Sequence, residues 1–228
     1  RLLVWGIYQW RLNMFTVYAY VLDTMADWET GYAVAELHSG RFFRKDAPLV
    51  SLRTAGCSLE PVSTMGGLKI IPDVAIGDIA AGESVVLLLP GADAWGDPKH
   101  AAAVGKAREI LRAGGTVCAI CGATVALAGA GLLDDRRHTS NGPGFLEMMV
   151  PSYAGQRFYA DESAVADESS ANGTLITASA TGALAWAKQI LARLDVFAPE
   201  ALEAWHAYFS TGSSDQFFAL MQAVQAGK

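Results

Sequence analysis

Cys121 stands where an apolar run, Thr116-Val117-Cys118-Ala119-Ile120, gives way to the small residues Gly122-Ala123-Thr124. That order reads as a buried strand, a tight turn and the start of a helix. In open α/β sheets, ligands collect at the carboxyl ends of strands. A thiol on such a turn is presented outward, and the first amides of the helix favour its thiolate. Small residues after it let the helix approach closely, as in the nucleophile elbow of hydrolases. The expected chemistry is that of a nucleophilic or redox-active cysteine with a lowered pKa. The plainer reading is a buried structural cysteine. Cys118 completes a Cys-x-x-Cys, but dithiol redox proteins place both cysteines at a helix start, whereas Cys118 falls inside the strand. Cys57, in Gly56-Cys57-Ser58, reads as structural or incidental.

Glu29 is the second candidate, in Asp27-Trp28-Glu29 at the start of a helix that follows the first strand. Locally it reads as an acid complementing the helix dipole. Topology offers the other reading. The ends of the first strand and of the cysteine strand can lie side by side in a doubly wound sheet, within reach of each other. Pro90-Gly91-Ala92, after another core strand, would present backbone N–H groups on the same edge, or simply end that strand. For Glu29 to assist the thiolate it must be neutral and donate a hydrogen bond, because an ionised carboxylate would repel it.

The elements that must position these groups are legible in outline. Phe15–Leu22 and Ser84–Leu89 are continuous apolar runs, the mark of strands buried on both faces. Leu49–Arg53, Thr116–Ile120, Ala164–Asp167 and Leu175–Ala178 are further strands, with Arg157–Tyr159 a short extended piece. Met65-Gly66-Gly67 suggests a hairpin. Helices are expected over Asp27–His38, with Asp27 as a cap, and over Lys99–Ala113, Gly122–Ala130, Pro143–Met149 and Ala183–Leu194. Alternation of strands and helices implies a mostly parallel sheet covered on both faces. Residues 14–228 are expected to form one α/β domain, with helices at Pro199–Phe209 and Ser214–Ala226 in a C-terminal extension over 195–228. Residues 1–13 lack Met and the grammar of a secretory signal, and are expected to be a leader or an expression-derived segment.

Bulk properties exclude several functions. The chain has 228 residues, 52% hydrophobic and 18% charged, enough apolar material for a substantial core. A net charge of −6 argues against binding nucleic acid, whose phosphates need clustered Lys and Arg. No apolar run reaches the roughly 17 residues that a bilayer span requires. The four histidines, His38, His100, His138 and His206, show no spacing with cysteine that suits zinc, so no metal and no cofactor are expected. Three cysteines without a disulfide framework fit a reducing, cytoplasmic interior.

Asp27-Trp28-Glu29, Leu88-Leu89-Pro90-Gly91 and Ala119-Ile120-Cys121-Gly122 together resemble the PfpI / DJ-one superfamily, related to class I glutamine amidotransferases. The resemblance continues through Gly131-Leu132-Leu133, His138-Thr139-Ser140-Asn141 and Ile176-Thr177-Ala178-Ser179, covering roughly 14–194. The two C-terminal helices look like a subgroup extension. The resemblance implies a flavodoxin-like three-layer sandwich, a reactive Cys121 and a carboxyl partner in Glu29. It also implies backbone donors at Gly91, Ala92 and Gly122, and a homodimer, for which Trp and Tyr are plentiful. Ala92 replaces the common second glycine, which would restrict the backbone if a positive φ were needed there. Gly122 stands where the protease-like branch has histidine, and Thr177-Ala178-Ser179 where glutaminases have their His and Glu, so no complete Cys-His-acid triad is evident.

His138 is the histidine that the resemblance brings near the site, as a catalytic group or as a satisfied loop residue. Thr139 and Asn141 would bind a ligand or cap the following helix. Two functions follow. One is covalent action of Cys121 on a small carbonyl or amide compound, as in a hydrolase, amidase or glyoxalase. The other is a sensor in which an oxidant or electrophile modifies Cys121 without turnover.

Overall fold

The computed structural model describes residues 14–168 and 172–227. The segment expected to be a leader lies outside the described residues. Nine strands form among the described residues, β1 (Met14–Tyr20), β2 (Leu49–Gly56), β3 (Val62–Ser63), β4 (Lys69–Ile70), β5 (Val74–Ala75), β6 (Val85–Leu89), β7 (Thr116–Ile120), β8 (Ala164–Asp167) and β9 (Thr174–Ala178). Seven of them make one sheet in the order β5-β2-β1-β6-β7-β9-β8, parallel except for the antiparallel edge strand β8. The remaining pair, β3 and β4, is the hairpin around Met65-Gly66-Gly67.

Helices cover both faces, giving the three-layer, flavodoxin-like α/β arrangement. They are α1 (Asp27–Ser39), α2 (Ala101–Arg112), α3 (Gly122–Gly129), α4 (Phe145–Met149), α5 (Ala183–Arg193), α6 (Pro199–Thr211) and α7 (Ser214–Ala226). Two apolar clusters follow from strand alternation. Cys118 and Ile120 face one side with Trp186, Ile190 and Trp205, whereas Val117 and Ala119 face the other with Ile110, Leu127 and Leu133. Burial of β7 on both faces explains its continuous apolar run. Among the described residues, no helix is long and apolar enough to cross a membrane.

The C-terminal helices are tied to α1 by a buried polar contact. Trp205 Nε1–H donates to Glu36 Oε1 at 3.0 Å, and Arg41 Nε donates to Glu36 Oε2 at 2.9 Å. Tyr32 stands edge-on to Trp205 and Phe209, which locks the same helix pair.

Two local expectations are corrected. Arg157–Tyr159 is not a strand: a single 3-10 turn spans Gln156–Phe158, and Tyr159 makes only one isolated bridge, with His138. Asp27 does not cap α1. Its Oδ2 accepts the Gly66 N–H at 2.6 Å, pinning the hairpin to the start of the helix.

Candidate active site

The β7–α3 junction holds Cys121 at φ 54°, ψ −122°, a left-handed conformation that a non-glycine residue adopts only when its surroundings impose it. They do so here. The Cys121 N–H donates to Ala178 O at 3.0 Å, at the end of β9. Its carbonyl accepts from Thr124 N at 3.0 Å and from Thr124 Oγ1 at 2.6 Å. The strained turn aims the thiol off the sheet edge and into a cavity of about 570 Å³.

Glu29 comes to the thiol by a different route from the one expected. β6 lies between β1 and β7, so the two strand ends are not neighbours. Glu29 reaches across the end of β6, and Gly91 is what lets it pass. A Cβ on Gly91 would stand 2.8 Å from Cys121 Cβ and 2.8 Å from Glu29 Oε2. Glu29 is 1% exposed, and its Oε2 accepts the Gly91 N–H at 2.6 Å. The Gly91 amide is therefore engaged by the carboxyl and is not a free oxyanion donor. Burial raises the Glu29 pKa, with the Gly91 and Cys121 hydrogen bonds opposing it. Oε1 is buried with no nitrogen or oxygen partner, and the Cys121 thiol donates to the carboxylate, which draws the Glu29 pKa down and the thiol pKa up.

Asn141 supplies the other polar contact. Its Oδ1 accepts the Ala180 N–H at 2.8 Å, which orients the amide so that Nδ2–H donates to Cys121 Sγ at 3.4 Å. The Gly122 N–H also favours the thiolate. Together they do not prevail. Burial pushes the Cys121 thiol above its ordinary value, and the Glu29 charge adds to that while the carboxylate is ionised. The lowered thiol pKa expected from the helix start is thus corrected, because desolvation outweighs the amide and backbone donors.

Ala92 and Gly122 line the cavity. Ala92 has φ −160°, extended backbone open to any residue, so its side chain carries no conformational penalty. His138 and Thr139 do not line the cavity. His138 is buried with Nδ1 at 2.6 Å from Arg136 O, so that nitrogen carries the proton, and Nε2 accepts from Tyr153 OH at 2.6 Å. Burial lowers its pKa and keeps the ring neutral. Thr139 is equally committed, accepting nothing from the cavity and donating Oγ1–H to Glu162 O at 2.7 Å. Among the described residues, no cluster of three or more potential metal ligands occurs.

Cys118 is fully buried in β7, and desolvation pushes its thiol far above the ordinary range. Cys57, Cys118 and Cys121 are all free thiols. Sequence reasoning missed Trp95, Met65, Phe145, Met149 and Ala180 on the cavity wall. Ala180 had a usable signal, since it follows the last core strand at its carboxyl end.

Residues 15–193 match the DJ-1/PfpI family. A Bacillus subtilis protein called "Uncharacterized protease YoaZ" is 41% identical over 208 residues, 91% of this chain and 97% of that protein. A Caenorhabditis elegans protein, "Glutathione-independent glyoxalase DJR-1.2", is 29% identical over 83 residues, 36% of this chain and 45% of that protein. The crystal structure of a thiJ/pfpI family protein from Bacillus anthracis superposes with a TM-score of 0.86 at 40% identity, covering 92% of this chain and 97% of that one.

Proposed function

The chain belongs to the DJ-1/PfpI family, and from that premise we propose that Cys121 and Glu29 act as a pair that adds covalently to small carbonyl compounds. The observation that carries this reading is the make-up of the cavity wall. A buried carboxyl and an oriented amide stand at the thiol, and among the described residues that line the cavity none is a histidine. Amide hydrolysis by a cysteine needs an imidazole to deprotonate the thiol and protonate the leaving amine. Addition to an aldehyde needs one group that accepts a proton and returns it, and a carboxyl with a raised pKa does that.

With a 2-oxoaldehyde the steps balance within the site. Sγ bonds to the aldehyde carbon while the thiol proton passes through Glu29 to the aldehyde oxygen, giving a hemithioacetal. Glu29 then carries the C–H proton to the neighbouring carbon while the hydroxyl proton of the adduct moves to the neighbouring oxygen, which converts the hemithioacetal into a thioester of a 2-hydroxy acid. Water cleaves the thioester, releasing a 2-hydroxy acid and the free thiol. No oxidant or reductant is consumed. The glyoxalase name of one relative supports this class, and the protease name of another keeps hydrolysis as the competing outcome. A sensor needs a standing thiolate, and burial that pushes the Cys121 thiol up weighs against that reading. His138 and Thr139 take no part in the proposal, because neither lines the cavity. The working form is a cytoplasmic homodimer.

The test is consumption of methylglyoxal by the purified protein beside Cys121→Ser. Lactate should form with the unaltered protein and be lost with Cys121→Ser. Equal rates in the two proteins, or release of ammonia from simple amides with no carbonyl consumption, would overturn the reading.

A further inference from the structure

The cavity is far larger than a three-carbon aldehyde, and its walls have a consistent character. Trp28, Met65, Trp95, Val125, Phe145 and Met149 surround the thiol. Among the described residues the cavity lining includes no lysine or arginine, and its acidic members are Glu29 and Asp93. Three large apolar side chains sit at the mouth in water: Trp28 is 56% exposed, Met65 49% and Met149 50%. Covering such groups is favourable, whereas a carboxylate or phosphate entering here would meet acids and find no cation.

The apolar wall is built rather than incidental. The Asp27 bond to the Gly66 N–H, with Met65 N–H donating to Met25 O at 2.9 Å, fixes the hairpin so that Met65 stands beside the start of α1. Trp95 Nε1–H donates to Pro90 O at 2.7 Å, and its ring packs on Tyr20 and His100 with centroids 5.7 and 5.9 Å away. Its orientation is therefore set before any ligand arrives. Phe145 and Met149, one turn apart on α4, supply the opposite side. Two methionines at the mouth give adaptable apolar contact.

We infer that this cavity selects uncharged carbonyl compounds bearing an aryl or bulky alkyl group, with Trp28, Met65 and Met149 as the specificity-determining residues. The inference rests on the carbonyl reading of Cys121, and the experiment separates the two. Binding is measured by calorimetry on Cys121→Ser, where no covalent step intervenes, with acetophenone, acetone and phenylglyoxylate as probes. Acetophenone should bind at least about tenfold more tightly than acetone or the anionic phenylglyoxylate, the discrimination that an apolar pocket gives one small group. Trp28→Ala and Met149→Ala, each placed in the Cys121→Ser background, should reduce that preference several-fold. Both side chains are half-exposed, so their loss leaves the fold intact. In the unaltered protein, phenylglyoxal should surpass methylglyoxal in kcat/KM by a similar factor.

Equal binding of acetophenone and phenylglyoxylate, or a preference untouched by both mouth substitutions, would overturn the inference. Selective acetophenone binding with no turnover of either oxoaldehyde would uphold the selectivity and overturn the proposed reaction.

Discussion

Two polar groups lie 17 residues apart in the chain, Cys121 half-buried and His138 fully buried, and they are built in opposite ways. Around Cys121 the backbone is held at positive φ, Glu29 Oε1 is left without a conventional partner, and the thiol opens into a cavity. Around His138 both ring nitrogens are satisfied. Nearby, Arg136 pairs with Asp167 and donates to the carbonyls of Asn172 and Gly173. Folding alone drives buried polar groups toward full pairing. Backbone strain such as that at Cys121 persists only where the surroundings over-determine it, and such places cluster at functional sites. Polarity is common to both groups; positive φ and an opening into the cavity distinguish the first.

Glu29→Gln tests the contrast hardest. It keeps the shape and the Gly91 contact but removes the proton carrier, so kcat for carbonyl turnover should fall by roughly 10²–10⁴-fold. Stability should move the other way. A carboxyl whose pKa is raised by folding favours the native state at low pH and loses that contribution as pH rises through the folded value. Glu29→Gln should therefore raise Tm near neutrality, with the gain fading as pH falls below the ordinary carboxylate range. A lowered Tm at neutral pH with kcat intact would place Glu29 among the structural groups.

His138→Phe should give the reverse pattern. It strands the Arg136 carbonyl and the Tyr153 hydroxyl, costing about 1–3 kcal/mol, while kcat in the folded protein stays unchanged. A folded His138→Phe protein without activity would erase the distinction between the two groups.

Thiol titration sharpens the comparison further. Iodoacetamide labelling of Cys121, followed site by site against pH, should rise only above the ordinary thiol range, because burial pushes that group up. Glu29→Gln removes the carboxylate charge and should move the profile to lower pH. Cys118 should stay unlabelled until the protein unfolds. Labelling of Cys121 at mildly acidic pH would refute this account of the thiol.

The smallest effect is expected at Ala92→Gly. Because Ala92 already has an extended backbone, glycine relieves nothing there and costs about 0.5–1 kcal/mol through its greater freedom when unfolded. A gain in stability, seen as a higher Tm, would show that the backbone at this position is strained after all.

Sequence alone carried the sheet and the turn. The continuous apolar run Thr116–Ile120 placed Cys118 inside the strand, and the small residues after Cys121 marked the elbow. The order of strands and helices implied the parallel sheet, and Met65-Gly66-Gly67 the hairpin. These are local signals, set by side-chain period and by residue size over a few positions.

The family resemblance had named Glu29 as a partner of the thiol, but only tertiary structure decided how each group reaches it. Glu29 and Gly91 are 62 residues apart, and Asn141 and Cys121 are 20 apart. Their contacts depend on β6 lying between β1 and β7, and on the Ala180 amide that turns the Asn141 side chain. The same three-dimensional packing gave His138 two partners of its own and took it off the cavity wall. It also let burial outweigh the helix-start amides in setting the Cys121 pKa. Desolvation depends on every atom that surrounds a group, and a linear pattern of neighbours holds too few of them to fix its sign.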